Sequence, residues 1–486
     1  MSLSRIVRGV KATFGAEILR LVAQAGIILL LTRVFLSPSE YGLIFLAISI
    51  FSLTTLVATL GIPKSTAKFL TEYRSKDESQ IRYILRSSIA FNAVTVGIVC
   101  VAFYVLADTI AAVYDEPALE PLLALGVAYI IIKVAHGYLL IAFQGFGKVP
   151  LTAATSTVSS VGHLGFITLF LAFGFGTVGA LAGYVAGYAI AVGVGGLLLY
   201  RIVSTYPRTD SPESGLRRRI FEYSIPLTAS QAGNLLYKRV DTLMVGFFLT
   251  PLAVGLYELA KQVSTFVIAP ADSLGFTVAP MFGEDKSANQ LDHAARVYEQ
   301  SLKYVLLLYI PAVAGLVLLA DPAIRFIFGA EYADAALVLQ IFSVFVLFQA
   351  IDKITNDSLD YLGRATERAI GKGVTGTLNF GLNLALIPTI GVEGAALSTS
   401  LCFGLMVLYN IYLMDREVSL DWGRIAKFST GAIAITTVMV AIVSVLEPYV
   451  DGIVSLFAVV AAGVLVWALT SVVSGFVDPQ EVRAHI

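Results

Sequence analysis

Charged and polar side chains recur at helical spacing inside stretches otherwise built of Leu, Ile, Val, Ala and Phe. Glu17, Arg20 and Gln24 share one stripe, Tyr129, Lys133, His136 and Gln144 a second, and Thr152, Thr155, Ser159 and His163 a third. Later stripes hold Gln231, Asn234, Lys238 and Asp241, then Glu258, Lys261 and Thr265. Lys353, Asp357 and Asp360 follow, and finally Lys372, Thr375, Asn379 and Asn383. A charge at mid-bilayer costs about 3 kcal/mol or more, so such residues normally face a cavity or a partner. Two chemistries are open. Glu17–Arg20, Lys238–Asp241, Glu258–Lys261 and Lys353–Asp357 are spaced to neutralise one another as static pairs. Alternatively they line a wet cavity. Its deep bases would be Arg20, Lys133, Lys238, Arg239, Lys261 and Lys353, and its acids Glu17, Asp241, Glu258 and Asp357. His136 and His163 could move protons, although a lone histidine more often packs as a hydrogen-bonded residue. Arg33, Lys372 and Asp360 lie near segment ends, where long side chains reach the interface.

The elements that must carry these stripes are transmembrane helices. Hydrophobic residues make up 57% of the 486 and charged residues 14%. With a mean hydropathy of +0.81, that is too apolar for a soluble globule. A span needs about 20 apolar residues, and fourteen such segments lie near 12–34, 41–63, 84–107, 121–143, 151–174, 178–200, 222–248, 252–282, 301–320, 335–361, 367–388, 392–414, 428–446 and 453–474. Their period is helical, unlike the alternating ten-residue strands of a barrel. The expected fold is an all-α polytopic membrane protein.

The chain also repeats itself. Phe248-Leu-Thr-Pro251-Leu-Ala-Val-Gly255-Leu-Tyr257-Glu-Leu-Ala260 matches Phe35-Leu-Ser-Pro38-Ser-Glu-Tyr-Gly42-Leu-Ile-Phe-Leu-Ala47 at seven of thirteen positions, 213 residues earlier. Composition alone would match about one position in ten. Gly147-Lys148 precede Gly363-Arg364 by 216, as Ser159 and His163 precede Thr375 and Asn379; Gly176, Gly179 and Ala180 precede Gly391, Gly394 and Ala395 by 215. The reading is two homologous six-helix lobes around a central cavity, plus two further helices. The N-terminal lobe spans 1–205, a cytoplasmic linker 206–219, the C-terminal lobe 220–416, and the last two helices with a tail 417–486. An even helix number gives both copies one orientation, so their seam is the natural path.

Basic residues fix the orientation. Arg5, Arg8 and Lys11, then Lys64, Lys68, Arg74, Lys76, Arg82 and Arg86, open a series that continues at every second connection. The connection after the third span holds Asp108, Asp115, Glu116 and Glu120 and no base. Only Arg33 and Arg325 fall near the other side. Both termini are therefore expected in the cytoplasm, in a cell-membrane protein. The first apolar run lacks a small-residue cleavage site and reads as a retained span. Cys100 and Cys402 lie inside apolar segments and offer neither a disulfide framework nor a metal motif. The net charge of −1 gives no reason to expect a nucleic acid.

Asp241-Thr-Leu-Met-Val-Gly246 with Pro251, Gly255, Leu256 and Tyr257 resembles the opening of the second half of Wzx-like polysaccharide and oligosaccharide flippases. So do Thr32-Arg33, Pro38, Tyr41-Gly42 and Gly61-Ile-Pro63 at the start. The superfamily also holds lipid II flippases and MATE exporters, and the resemblance runs through the first twelve spans. It implies transbilayer movement of a polyprenyl-phosphate-linked oligosaccharide by alternating access, for surface polysaccharide or glycan synthesis. It further implies that Arg20 and Lys261 meet the phosphates, with Lys replacing a bidentate Arg. Asp241, Asn379, Asn383 and Thr399 resemble a sodium set, although the same residues would serve simply to hydrogen-bond helices together. No cofactor is expected beyond a coupling ion, Na+ or H+.

The expected partners are the lipid-linked glycan and membrane lipid, with pathway glycosyltransferases or a polymerase nearby and the carrier itself monomeric. Two rivals stand beside this reading. A MATE-like exporter of organic cations would want an acidic cavity with few bases. A membrane glycosyltransferase or polymerase would need acid/base or metal-binding side chains, usually on a sizeable loop, and the sequence shows no such catalytic set.

Overall fold

The computed structural model describes residues 15, 18–209 and 211–476, and no strand occurs among them. The helices are α1 (Ile18–Phe35), α2 (Pro38–Thr59), α3 (Ile62–Lys76), α4 (Ile81–Val113), α5 (Gly126–Gly145), α6 (Val149–Ala172), α7 (Gly176–Ser204), α8 (Leu216–Phe248), α9 (Pro251–Ser287), α10 (Leu291–Ala323), α11 (Ala335–Tyr361), α12 (Ala365–Ile390), α13 (Val392–Val418), α14 (Trp422–Leu446) and α15 (Ile453–Val473). Twelve are long and apolar enough to cross a membrane. The two other long helices are α8, of 33 residues, and α12, of 26. They carry the charges and amides noted above. Twelve of the fourteen expected spans are thus apolar enough to cross by composition, α8 and α12 being the two that are not, and the chain is an all-α, multi-pass membrane protein.

α3 was not foreseen as an element. It is a 15-residue helix with Ile62, Pro63, Thr66, Phe69, Leu70 and Tyr73 buried on one side and its lysines and Arg74 on the other. That short amphipathic pattern had read only as a basic connection.

By contacts the chain forms two compact units, dividing between Gly255 and Leu256. The repeat in sequence begins near residue 220. The packing boundary lies later because α8 rests on α2 and α3 in the first unit. In that unit α7 presents Gly179, Gly183, Gly187, Ala191 and Gly195 at four-residue intervals, all buried. This small-residue stripe lets α6 lie against it almost backbone to backbone: a Cβ on Gly187 would sit 2.5 Å from the His163 amide nitrogen. The two copies of the Pro-Gly motif meet each other reciprocally. A Cβ on Gly42 would fall 1.8 Å from the Pro251 carbonyl oxygen, and one on Gly255 would fall 2.1 Å from that of Pro38.

The segment joining α7 to α8 is tied down at Glu213. Its carboxylate accepts hydrogen bonds from the Tyr73 hydroxyl at 2.6 Å and from Arg219 at 2.8 Å, and Lys76 lies 3.5 Å away. The Tyr73 hydrogen bond, with Lys76 and Arg219 behind it, holds this carboxyl below its usual range.

In the second unit α10 packs on α11 and α14, α13 receives α11 and α12, and α15 covers α14. α9 contains Pro270 and Pro280. At the first, the Tyr309 hydroxyl of α10 enters the broken backbone ladder. It accepts from the Ala271 amide at 3.0 Å and donates to the Val267 and Ile268 carbonyls at 3.0 and 3.1 Å. Proline removes an amide donor, and the phenol satisfies the backbone groups around the resulting bend.

Candidate functional site

In the first unit α2, α5 and α8, with the start of α3, enclose a cavity of about 430 Å³. α2 supplies Ser52, Thr55 and Thr59; their hydroxyl protons go to Ile48, Phe51 and Leu56 carbonyls at 2.7, 2.6 and 3.0 Å. α5 supplies Tyr129, Lys133, Gly137 and Tyr138, and α8 supplies Gln231, Leu235 and Lys238. Lys64 closes the rim from the first turn of α3. Three lysines thus line the space, and among the described residues no carboxylate does. Leu56, Val134, Leu235 and Ile141 add apolar wall between these polar groups.

Lys133 is held rather than mobile. Its Nζ donates to the Tyr188 hydroxyl at 2.5 Å and lies 4.1 Å from that ring's centroid. Behind this pair, away from the cavity, the Tyr188 ring packs edge-on to His163 at 4.3 Å and against His136 at 5.0 Å. Both imidazoles are buried, at 5% and 7% exposure for His136 and His163. Neither Nε2 has a hydrogen-bond partner, and the same holds for Thr155 Oγ1 beside them.

The remaining expected residues divide between the units. Arg20 is half-buried on α1, Arg239 half-buried on α8, and Asp241 fully buried on α8. Lys261 pairs with Glu258 at 3.7 Å, as its helical spacing allowed, and Glu258 is buried. Lys353 pairs with Asp272 of α9 instead of Asp357. This corrects the same-helix expectation: a neighbouring helix brings its carboxylate to the ammonium directly. Asp357 instead accepts from the Asn356 amide at 3.3 Å. Glu17 lies outside the described residues. Asn379, Asn383 and Thr399 do come together in the second unit. Asn383 Nδ2 donates to Asn379 Oδ1 at 3.3 Å, Asn379 Nδ2 reaches Thr399 Oγ1 at 3.5 Å, and Ser398 donates to Asn383 Oδ1. Ser398 was missed, since a serine one residue from Thr399 carries no spacing signal. Lys64 was read only as a cytoplasmic charge. Its place beside Pro63, at the turn where α2 gives way to α3, was the available clue.

The description Polysaccharide biosynthesis protein belongs to a family model that matches residues 6–285. The MatE model matches residues 226–391. Among curated relatives, the probable low-salt glycan biosynthesis flippase Agl15 of Haloferax volcanii is 24% identical over 387 residues, covering 80% of this chain and 79% of that protein. Lipid II flippase MurJ of Bacillus subtilis is 23% identical over 436 residues, with the same coverage of 80% and 79%. Among solved structures, lipid II flippase MurJ in an inward closed conformation superimposes with a TM-score of 0.77 at 17% identity, covering 96% of this chain and 98% of that one. An inward-facing multidrug resistance MATE family transporter gives 0.64 at 14% identity, covering 85% and 96%. Those two structures share the fold seen here. With more than half of its length matched by one family model, the chain belongs to the polysaccharide biosynthesis protein family.

Proposed function

We propose that this chain is a flippase that carries a lipid-linked, phosphate-bearing oligosaccharide across the cell membrane by alternating access, with its basic connections and both termini in the cytoplasm. It is a carrier and not a catalyst, in keeping with relatives named as flippases. The observation that carries the reading is the cavity lined by Lys64, Lys133 and Lys238, with no acid among the described residues of its wall. A phosphate stripped of water needs charge-assisted donors, and three ammonium groups supply them. The same wall would repel an organic cation, which disfavours the MATE-like alternative. Lys261 and Lys353 already hold carboxylates; with Arg20 and Arg239 they serve as secondary stations along the path. The prolines inside α8, α9 and α10 provide bends about which half-helices move as access alternates.

The test uses purified protein in vesicles loaded with a fluorescent polyprenyl-diphosphate disaccharide, whose exposed fraction is bleached from outside. Replacing both Lys133 and Lys238 by methionine should slow flipping at least tenfold while the protein still inserts. Undiminished flipping in that double variant would show that the headgroup passes elsewhere.

A further inference from the structure

Two imidazoles with bare Nε2 atoms, buried directly behind a cavity lysine, are proton acceptors left open. We propose that His136 and His163 form a proton-binding site, reached from the cavity through Lys133 and Tyr188, that fills when an anion occupies the cavity. The inference rests on the cavity being anion-binding, as proposed above. A proton enters by way of cavity water and the Lys133 ammonium, and the Tyr188 hydroxyl rotates to pass it on. The only net bond formed is N–H at an imidazole Nε2. Lys133 and Tyr188 end as they began.

The surroundings explain why the site should wait for an anion. The charged and titratable groups facing the imidazoles are Lys133 and Tyr129 from α5, Tyr184 and Tyr188 from α7, and Arg239 from α8. α1, which meets α6 where Gly26 approaches Leu164, carries Arg20, and α3 brings Lys64. α2 has Glu40 and Tyr41 only in its first turn, and α4 has Arg82, Tyr83 and Arg86 near its start. α8 also carries Lys238 and the buried Asp241 beside Arg239; among the described residues the groups that face the imidazoles directly are cations and phenols. An added proton on either imidazole is opposed by the neighbouring cations until an anion in the cavity offsets them. Linkage makes the effect reciprocal: anion binding draws in a proton, and acidification tightens anion binding.

The geometry also makes the site specific. Gly187 has no side chain because a Cβ there would lie 2.3 Å from His163 Cδ2, so the ring is seated against the α7 backbone. Thr155 Oγ1, also without a hydrogen-bond partner, gives the pocket a polar wall in which a protonated ring can be accommodated.

The test uses the full chain in detergent and methanedisulfonate, a doubly charged anion that does not itself titrate between pH 5 and 8. Calorimetry in two buffers of different ionisation enthalpy should read uptake of about one proton per anion bound near pH 7, and affinity should rise about thirty- to a hundredfold from pH 8 to pH 6. The H136Q/H163Q variant should bind the anion at pH 8 as well as the parent does, yet take up no proton and show a flat pH dependence. The chain has four histidines, so imidazole 15N spectra give a second reading. The signals of these two rings should together move toward the imidazolium position by one proton's worth on adding the anion at constant pH, and both should be absent from the variant. Binding without proton uptake, or uptake that survives H136Q/H163Q, would overturn the proton site while leaving the cavity reading intact. Binding unaffected by the Lys133→Met, Lys238→Met pair would overturn the cavity reading, and the linkage with it.

Discussion

At the scale of single residues the polar groups within the spans have separated into two kinds. Some are spent on one another. Asn379, Asn383, Ser398 and Thr399 are linked by hydrogen bonds in the second unit, and Glu258 pairs with Lys261 at 3.7 Å. Lys133 instead has a phenol as its hydrogen-bond acceptor, so its charge is available to a ligand. This contrast yields a prediction about Asn383, which is fully buried. Asn383→Ala takes the donor from Asn379 Oδ1, while Ser398 keeps the Ala395 carbonyl at 3.0 Å, and a buried orphan costs about 1–3 kcal/mol. The thermal midpoint should therefore fall by the same amount in sodium as in potassium chloride, since the amides serve each other. A bound ion adds RT ln(1 + [L]/Kd), about 1.4 kcal/mol at ten times Kd. If the parent protein showed a sodium-specific gain of that size and the variant lost it, these amides would be ion ligands instead.

Among elements, α9 shows how backbone groups beside an internal proline keep their partners. Tyr309 holds the Ala271 amide and the Val267 and Ile268 carbonyls at the Pro270 break. Tyr309→Phe removes only the hydroxyl, so the ring still fills its place while the buried amide loses its acceptor. The expected loss is about 1–3 kcal/mol. Amide hydrogen exchange should quicken around residues 267–272 and stay unchanged in α14. Unchanged exchange at the bend would mean that water replaces the phenol at no cost. No sequence pattern pointed to this tie, since a tyrosine 38 residues from the amide it satisfies leaves no periodic trace. The spans themselves were legible because twenty apolar residues have few other fates, and the Pro-Gly duplication was legible because Gly42 and Gly255 meet carbonyls that tolerate no Cβ. Lys133 and Lys238 stood out as cavity bases because charge is rare in such stretches. Lys64 and α3 did not, since their composition is that of an ordinary cytoplasmic loop. Lys353 was given the wrong acid for a related reason: spacing reports neighbours on one helix, and Asp272 comes from another.

For the whole molecule, the distribution of bases predicts an orientation in the membrane, with Arg33 and Arg325 as its two exceptions. Arg325, on the side expected to be external, is paired with Asp321 at 2.8 Å. The retained basic surfaces lie on α3 and on the start of α8, near the pinned Glu213 segment. Acidic residues Asp115, Glu116 and Glu120 occupy the connection between α4 and α5. The positive-inside rule then places Glu78 in the cytoplasm and Ala118 outside, and both positions are exposed on the protein. The native Cys100 and Cys402 are buried, so single added cysteines can be read against a low background. A membrane-impermeant maleimide should label Ala118→Cys in intact spheroplasts at least tenfold faster than Glu78→Cys. Glu78→Cys should reach the same rate only after lysis. The opposite order would invert the protein in the membrane and make the Lys64 rim of the cavity an exit instead of an entrance, so that the same three lysines would receive cargo from outside.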